Sequence, residues 1–289
     1  MDIIDTHVHF YDPTRPEGIP WPREDDALLY RRVLPADYRA LDGAGRVTGV
    51  VIVEASPWLE DNQWLLDMTE RDGLLLGVVG RLDWSDAAFD ANVARFATSS
   101  WFKGVRIGGG ELAKLDANRR QSAAALLAEN ELAVDVLAQA GDLDAAASAA
   151  SDTPDATFVI NHLGHPKLTG KQHGNGGGDS WDGWHAWRDG ITKCAAQPNV
   201  VCKISGLVEA TGMTPAPTSL EGYRDVLDAL LTAFGGDRLM YGSNWPVSER
   251  FAPLATTIDL VEQWMTAADL SADVRSAIMA TNARSTYRL

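Results

Sequence analysis

The sequence predicts an α/β protein, and within that class a single (β/α)8 TIM barrel that spans residues 1–289 as one domain. Three observations predict this fold. Eight short apolar segments rich in β-branched residues recur along the chain, amphipathic segments separate them, and no linker rich in Pro, Gly or Ser divides the chain. Most of the apolar segments are continuous, which is typical of strands buried on both faces of a parallel sheet. The length of 289 residues is compatible with one such barrel, which typically takes about 250.

Strands and helices are predicted to alternate along the whole chain. The predicted strands are Ile3–Val8, Gly49–Glu54, Leu75–Leu82, Gly104–Ile107, Ala133–Leu137, Thr157–His162, Val200–Ser205 and Leu239–Ser243. The predicted helices are Asp61–Arg71, Asp86–Ala97, Ala113–Ala128, Ala145–Ser151, Asp182–Ala196, Glu221–Phe234, Ala255–Met265 and Ala272–Tyr287. In the second helix, Phe89, Val93 and Phe96 share one face after Ser85, a residue type that caps helix N-termini. This alternation favours a closed barrel over an open, doubly wound sheet.

Two segments interrupt the alternation. Asp12–Arg39, after the first strand, contains five prolines, is too rich in proline for a helix, and is predicted to form an ordered cover. Pro166–Ser180, after the sixth strand, contains a Gly-rich run at Gly174–Gly178. We expect a flexible lid there rather than a phosphate-binding loop, because no P-loop pattern is present. Trp181, Trp184 and Trp187 follow at a spacing of three and are predicted to pack on a helix face.

The composition excludes several classes of protein. Asp and Glu number 40 against 25 Lys and Arg, so the net charge is −15, and no run of basic residues occurs. A field of this sign repels phosphate backbones and anionic lipids, which excludes nucleic acid and membrane surfaces and leaves a small molecule as the partner. No apolar stretch reaches the roughly 18 residues of a membrane helix. Cys194 and Cys202 make neither a disulfide framework nor a zinc ribbon, so we expect a cytoplasmic protein.

The first strand carries the sharpest motif, DTHVHF at residues 5–10. Residues two apart on a strand point to the same face, so His7 and His9 are both predicted to point into the barrel at its C-terminal end. Two neutral imidazoles on one face suit a divalent metal, and zinc is the first candidate. The alternative is a hydrogen-bonded pair of histidines without a metal, because two ligands do not complete a coordination shell.

Polar side chains stand in or directly after seven of the eight predicted strands. They are Glu54, Asp83, Arg106, Asp135, His162, Lys203 and Asn244. Buried without partners, such groups would each cost several kcal/mol. A shared polar active site at the C-terminal face of the barrel explains all of them together. Trp245 follows the last of these residues and is expected to shape the floor of the pocket where it contacts substrate.

Three of these acidic residues have structural as well as catalytic interpretations. Glu54 is either a catalytic base or the charge partner of Lys203, since ion-pair networks also perturb titrating groups. Asp135 is either catalytic or paired with Arg106. Asp83 is predicted to cap the helix that follows it.

Four motifs, in chain order, resemble the amidohydrolase superfamily and, more narrowly, its amidohydrolase-2 branch. They are His7–His9, Asn161–Gly164, Cys202–Gly206 and Gly242–Pro246. The resemblance spans nearly the whole chain. It implies a TIM-barrel hydrolase that acts on a small ester or lactone at the barrel mouth, as the sugar and dicarboxylate lactonases of this branch do.

The resemblance also implies roles for particular residues. His7, His9 and His162 correspond to histidines that bind a divalent metal or the substrate carbonyl. Arg106 and Lys203 would orient a polar or anionic substrate. Members with two metals bridge them with a modified lysine on the fourth strand, where this chain offers Arg106. We therefore expect one divalent metal, with zinc first, or none.

At one position the sequence departs from the superfamily pattern. Asn244 stands on the eighth strand where many members have an aspartate that acts as general base on water. An amide does not accept a proton at neutral pH, so Asn244 is left to orient water or to bind metal weakly through its carbonyl oxygen. The base would then be Glu54, Asp135, His162 or a metal-bound hydroxide.

Three functions follow from these expectations. The leading one is hydrolysis of a sugar-acid or carboxylated lactone. The second is metal-dependent decarboxylation of an unsaturated or aromatic acid, which relatives of this broad branch perform. The third is a catalytically silent sugar-acid-binding barrel, suggested by Asn244. A homodimer is compatible with the Trp-rich and Pro-rich surface loops.

Overall fold

Eight parallel strands form one sheet whose order around the molecule follows the order of the chain. The structure, a computed structural model, describes residues 1–168 and 183–289. The strands are β1 Ile4–Val8, β2 Gly49–Val53, β3 Leu75–Arg81, β4 Phe102–Gly108, β5 Ala133–Leu137, β6 Phe158–Ile160, β7 Val200–Ile204 and β8 Leu239–Tyr241. All neighbouring pairs from β1 to β8 are parallel. The predicted (β/α)8 barrel is therefore confirmed.

The barrel closes where β1 meets the residues after β8. Val8 and Trp245 form a parallel bridge. The backbone N–H of Asn244 donates to the carbonyl of His7 over 2.8 Å, and the N–H of His9 donates to the carbonyl of Trp245 over 2.9 Å. The closing hydrogen bonds thus join the first-strand histidines directly to the end of β8, which brings two of the predicted polar motifs together.

Helices surround the sheet. They are α1 Pro35–Arg39, α2 Leu59–Thr69, α3 Phe89–Phe96, α4 Gly109–Lys114, α5 Ala117–Glu129, α6 Leu143–Asp152, α7 Trp184–Ala195, α8 Arg224–Phe234, α9 Leu254–Ala267, α10 Ala272–Ser276 and α11 Asn282–Tyr287, with a π-helical turn at Ala277–Thr281. Short 3-10 turns lie at Ala44–Arg46, Ala140–Asp142, His162–Gly164, Glu209–Thr211, Leu220–Gly222 and Val247–Arg250. Within residues 1–168 and 183–289, no helix has both the length and the hydropathy that a membrane span requires.

The start of α3 corrects the predicted cap. Neither Ser85 nor Asp83 caps the helix, which begins at Phe89 after Ala88 with no side-chain cap. Instead, the Asp83 carboxylate accepts hydrogen bonds from the backbone N–H and the hydroxyl of Ser85, at 2.8 and 2.6 Å. A local side-chain turn satisfies the carboxylate before a helix can form, which is the usual competition between Asp or Ser and the helical backbone.

The proline-rich segment after β1 is ordered, as predicted, but its end is helical. Pro35 begins α1, because proline at the first helical position loses no intrahelical hydrogen bond. Upstream, Tyr11 pairs with Val33 in an antiparallel bridge, and the Tyr11 hydroxyl donates to the carbonyl of Leu29 over 2.9 Å. These bonds fold the segment back over the end of β1 and hold Trp21 at the mouth of the barrel.

The barrel interior is a separate apolar layer, closed at its N-terminal end by the last helix. Its members include Ile4, Val51, Val53, Val79, Ala133, Val159 and Met240 from the strands, together with Ala280, Ala283 and Tyr287 from the C-terminal segment. Asn282 donates to the carbonyl of Leu239 at the start of β8 over 2.7 Å. The C-terminal segment thus fills the interior at this end, which leaves the opposite, C-terminal end of the strands for an active site.

Helix α7 packs through two of the predicted tryptophans. The rings of Trp184 and Trp187 are stacked with centroids 5.1 Å apart, and both residues are buried. The indole N–H of Trp187 donates to the carbonyl of Leu163 over 2.7 Å, which ties α7 to the turn after β6. Their predicted packing role is confirmed. Trp181 and the Gly-rich run at Gly174–Gly178 lie outside the described residues.

Candidate active site

One cavity of about 650 Å³ opens at the C-terminal end of the barrel. Residues in or after seven of the eight strands line it, among them His9, Ala55, Arg106, Leu137, His162, Glu209 and Asn244. Trp21, from the segment after β1, covers part of the mouth. The size is that of a small-molecule site, for which about 300–1,000 Å³ is typical. Convergence of strand ends on one cavity is what the sequence predicted.

His9 and His162 line this cavity, and the buried ring of His7 contacts both of them from behind the wall. The ring centroids of His7 and His9 are 5.0 Å apart, and those of His7 and His162 are 4.3 Å apart. His9 donates its Nδ1 hydrogen to the carbonyls of Val53 and Glu54, at 2.9 and 3.1 Å, because a carbonyl only accepts. Its Nε2 lies 3.3 Å from the side-chain oxygen of Asn244, which ties the first-strand motif to the end of β8.

The three rings are neutral at neutral pH. Burial, and then the neighbouring His162, lowers the pKa of His7 well below its usual range. Burial and the Arg106 guanidinium lower the pKa of His9 to about 3. Burial and the neighbouring His165 lower the pKa of His162 in the same way. A neutral imidazole offers one lone pair and one N–H, so each ring is able to bind a cation or to donate to an oxygen.

The backbone at two of the site residues is left-handed. His162 has φ 51° and Asn244 has φ 63°. Such conformations cost non-glycine residues of order 1–3 kcal/mol and cluster at functional sites. Gly206 makes room for the turn at His162, because a Cβ there would come within 3.0 Å of the His162 Cβ.

Two ion pairs lie at or beneath the cavity, with partners different from the predicted alternatives. Arg106 donates from Nε to Glu54 over 2.8 Å, and Lys203 donates to Asp135 over 2.7 Å. The expected pairs, Glu54 with Lys203 and Asp135 with Arg106, do not form. Side chains of one barrel layer come from alternate strands. Glu54 directly follows β2 and Arg106 lies on β4, whereas Asp135 and Lys203 lie on β5 and β7, so each pair forms within its own set of alternate strands.

Glu209 is a cavity residue that the sequence analysis did not predict. It begins the 3-10 turn after β7 and lines the cavity. The Asn244 side-chain amide donates to its Oε1 over 2.9 Å, while its Oε2 is buried without a hydrogen-bond partner. Burial raises the pKa of Glu209 to about 7. Its one signal in the sequence is that an acidic residue follows β7 closely. The alternation of strands and helices does not predict the path of the loop that carries it.

Comparison with known proteins assigns the chain to a family. The family model described as Amidohydrolase matches residues 4–289. This chain belongs to the amidohydrolase family. It is 30% identical over 292 residues to an L-fucono-1,5-lactonase from Burkholderia ambifaria, covering 99% of this chain and 95% of that protein. A second L-fucono-1,5-lactonase, from Burkholderia multivorans, is 29% identical and is covered over 96% of its length.

A solved structure supports the same relationship. An amidohydrolase from Burkholderia multivorans, described with bound Zn, superposes on this chain with a TM-score of 0.84 at 28% identity, and both chains are covered completely. The resemblance to the amidohydrolase superfamily that the four motifs indicated is therefore confirmed.

The histidines of this amidohydrolase have the donor chemistry for a metal without forming a finished site. Both ring nitrogens of His7 are buried without a hydrogen-bond partner, which leaves an unsatisfied donor and acceptor beside the cavity. Neutral imidazole nitrogens are common zinc ligands. The residue types therefore fit a divalent ion. Within the described residues, however, no three His, Cys, Asp or Glu side chains are arranged to hold an ion together.

Three predicted site residues of the amidohydrolase lie behind the cavity wall. Lys203 and Asp135 are fully buried, and Asp135 also accepts a hydrogen bond of 2.7 Å from the Tyr287 hydroxyl. Trp245, at 1% exposure, packs against the rings of Phe10 and Tyr38. The structure thus brings His9, His162, Arg106 and Asn244 together at the cavity, with the buried His7 in contact with both histidines. Lys203, Asp135 and Trp245 lie behind the cavity wall and support it. Glu54 stands at the edge, held by Arg106.

Proposed function

We propose that this amidohydrolase hydrolyses a small lactone of a sugar acid, opening the ring with water at the C-terminal mouth of the barrel. The full-length likeness to two L-fucono-1,5-lactonases supports the reaction class. The observation that carries the proposal is a cavity of about 650 Å³ lined by the neutral histidines His9 and His162 and by Arg106, with the neutral ring of His7 directly behind them. A lactone has a carbonyl to polarise and hydroxyl groups to orient, and this set of groups does both.

The histidines are proposed to bind the carbonyl end of the substrate. When water attacks the carbonyl carbon, negative charge develops on the carbonyl oxygen. Hydrogen-bond donors that already point at that oxygen lower the activation barrier of the attack, because they do not have to reorient as the charge develops. His162, which lines the cavity, is the ring best placed for this role, and His7, whose two ring nitrogens have no partner, lies directly behind it.

Arg106 is proposed to orient the polar groups of the substrate. Its Nε and one Nη donate to the side chain and backbone of Glu54, at 2.8 and 2.9 Å. These bonds fix the guanidinium at the cavity wall, so its remaining donors keep one direction. A fixed guanidinium matches a hydroxyl pair or a carboxylate better than a mobile lysine does.

We further propose that the protein holds at most one divalent ion, with zinc first, on His7, His9 and His162. When bound, the ion would polarise the carbonyl and lower the pKa of a water molecule. Elemental analysis of the purified protein is expected to find no more than one equivalent. Two tightly held equivalents after dialysis would contradict the interpretation of Arg106, which stands on β4 where a bridging lysine would be needed.

A panel of aldonolactones tests the function. Acid release from five- and six-membered lactones, L-fucono-1,5-lactone among them, is followed with a pH indicator. We expect turnover of at least one. His162→Asn is expected to abolish it with the fold intact, whereas His185→Asn, on an exposed histidine of α7, is the matched control and should leave it unchanged.

Other outcomes identify the alternative functions. No turnover across both ring sizes by a folded protein would overturn the proposal. Release of carbon dioxide from an aromatic or unsaturated acid would indicate a decarboxylase. Binding of sugar acids by calorimetry without turnover would indicate a silent binding barrel, and gain of activity in Asn244→Asp would strengthen that interpretation.

A further inference from the structure

We propose that Glu209 is the general base of this site. Asn244 stands where many superfamily members have an aspartate in this role, and its amide is unable to accept a proton. The inference rests on the proposed lactone hydrolysis and names the residue that moves the proton. The end of β8 carries Asn244, and the structure places the carboxylate of Glu209, from the loop after β7, in hydrogen-bond contact with its side chain.

The position of Glu209 carries the inference. Its Oε1 accepts a hydrogen bond of 2.9 Å from the Asn244 amide, and its residue lines the same cavity as His9 and His162. The other carboxylate oxygen, Oε2, has no hydrogen-bond partner. A buried polar group without a partner needs a specific explanation, and a catalytic role is one such explanation. One oxygen is thus held in place by Asn244 while the other keeps its lone pairs for a proton.

The other acidic groups near the site are occupied. Glu54 is bound by Arg106, and its side chain is not part of the cavity wall. Asp135 accepts from Lys203, Tyr287 and Asn161 at distances of 2.7 to 2.9 Å. In the part of the chain that the structure describes, Glu209 is the one carboxylate that lines this cavity.

The environment of Glu209 suits proton transfer near neutral pH. Burial raises the pKa of the carboxyl to about 7, and hydrogen bonds from its own backbone N–H and from the Asn244 amide oppose that rise. A general base works best when its pKa lies near the working pH. Tyr223 and Tyr241 are the titrating neighbours that feel its charge, and their own pKa values are raised, so both stay neutral.

The proposed step balances with water as the only co-reactant. The Glu209 carboxylate takes one proton from water as the water oxygen bonds to the lactone carbonyl carbon. The tetrahedral intermediate then collapses, the ring C–O bond breaks, and the proton on Glu209 passes to the departing alkoxide. The net change is lactone plus water to hydroxy acid, and Glu209 returns to its starting state.

The inference is tested by removing the carboxylate at position 209 and by introducing one at position 244. Four proteins are compared with wild type on a lactone that wild type hydrolyses: Glu209→Gln, Asn244→Asp, the double variant with both changes, and Glu262→Gln as a control on the surface of α9. Glutamine keeps the hydrogen bond to Asn244 and removes only the proton acceptor. We expect Glu209→Gln to lower kcat by about 10²–10⁴-fold, the usual contribution of a general base, with KM changed less than threefold.

The double variant is expected to have a kcat at least tenfold higher than that of Glu209→Gln, because it places a carboxylate at the end of β8. Glu262→Gln should match wild type. Retention of kcat within threefold by Glu209→Gln would overturn the inference while leaving lactone hydrolysis established. If wild type hydrolyses no lactone at all, the proposed function fails, and the role of Glu209 fails with it.

Glu209→Ala provides a second test that does not depend on the folding of Glu209→Gln. Glu209→Ala leaves space for a small acid, and added formate is expected to restore part of its activity in a concentration-dependent way. Circular dichroism and a thermal melt establish that each variant is folded. Absence of rescue in folded Glu209→Ala would count against Glu209 as the base.

Discussion

At the scale of single residues, the site depends on groups held away from their preferred state. His162 and Asn244 have left-handed backbones, His7 has two ring nitrogens without partners, and Glu209 has one carboxylate oxygen without a donor. Each of these is unfavourable by itself. His162, Asn244 and Glu209 line one cavity, and His7 lies against His162. This is the pattern expected when an active site is maintained by the stability of the surrounding fold.

Glu209 gives a pH-dependent stability prediction. Its pKa is about 7 in the folded protein and 4.5 ordinarily, so the folded state keeps a proton that the unfolded state loses between these values. Stability therefore falls as pH rises through this window, and the full cost is present above about pH 7. Glu209→Gln removes the cost, so at pH 8 its Tm should exceed that of wild type by a few degrees.

The two melting curves should agree at pH 4, where Glu209 is protonated in both states. Thermal melts at the two pH values check this, with Glu262→Gln as the reference. A lower Tm for Glu209→Gln at pH 8 would show that the carboxylate is stabilising, contrary to its burial.

The Lys203–Asp135 pair gives a second residue-scale prediction. Both side chains are fully buried, so Lys203→Met leaves the Asp135 carboxylate without its cation. We expect a loss of about 3–5 kcal/mol in the free energy of unfolding, measured with urea. Lys203→Met with Asp135→Asn should lose less, because the buried charge is gone. Equal losses in the single and double variants would contradict the pairing.

At the scale of elements, the segment after β1 governs access to the cavity. The Trp21 ring lies 5.8 Å from the His9 ring and 5.6 Å from the Tyr11 ring, so it joins the cover to the first-strand motif. Pro35 ends the irregular part by starting α1. The prolines exclude a long helix here, and the cover is held by a few specific bonds.

Trp21→Ala is expected to raise KM for the lactone about tenfold or more with a smaller change in kcat, because the ring contributes contact area to the substrate and no donor to the reacting carbonyl. Trp58→Ala, on a tryptophan that is 39% exposed, is the matched control. Steady-state kinetics on both variants check the split. A fall in kcat with KM unchanged would assign Trp21 to the chemical step instead.

At the scale of the whole molecule, the charge of −15 and the chemistry of the mouth have opposite signs. Arg106 lines the cavity, while the long-range field repels anions. For a carboxylated lactone, added salt screens this repulsion and should raise kcat/KM, whereas for a neutral lactone kcat/KM should not change. Assays from 20 to about 500 mM salt compare the two substrates. A decrease with salt for the carboxylated lactone would mean that the local positive field dominates.

The sequence by itself determined the architecture. Its strands are continuously apolar because both of their faces are buried, and the amphipathic helices between them supply the cover that a parallel sheet needs. It also placed His7 and His9 on one face, because strand periodicity is a local property. The partners of Glu54 and Asp135 and the position of Glu209 were decided by tertiary structure alone. Which strands share a barrel layer, and where a loop carries its carboxylate, depend on closure of the whole sheet, and no local pattern records that closure.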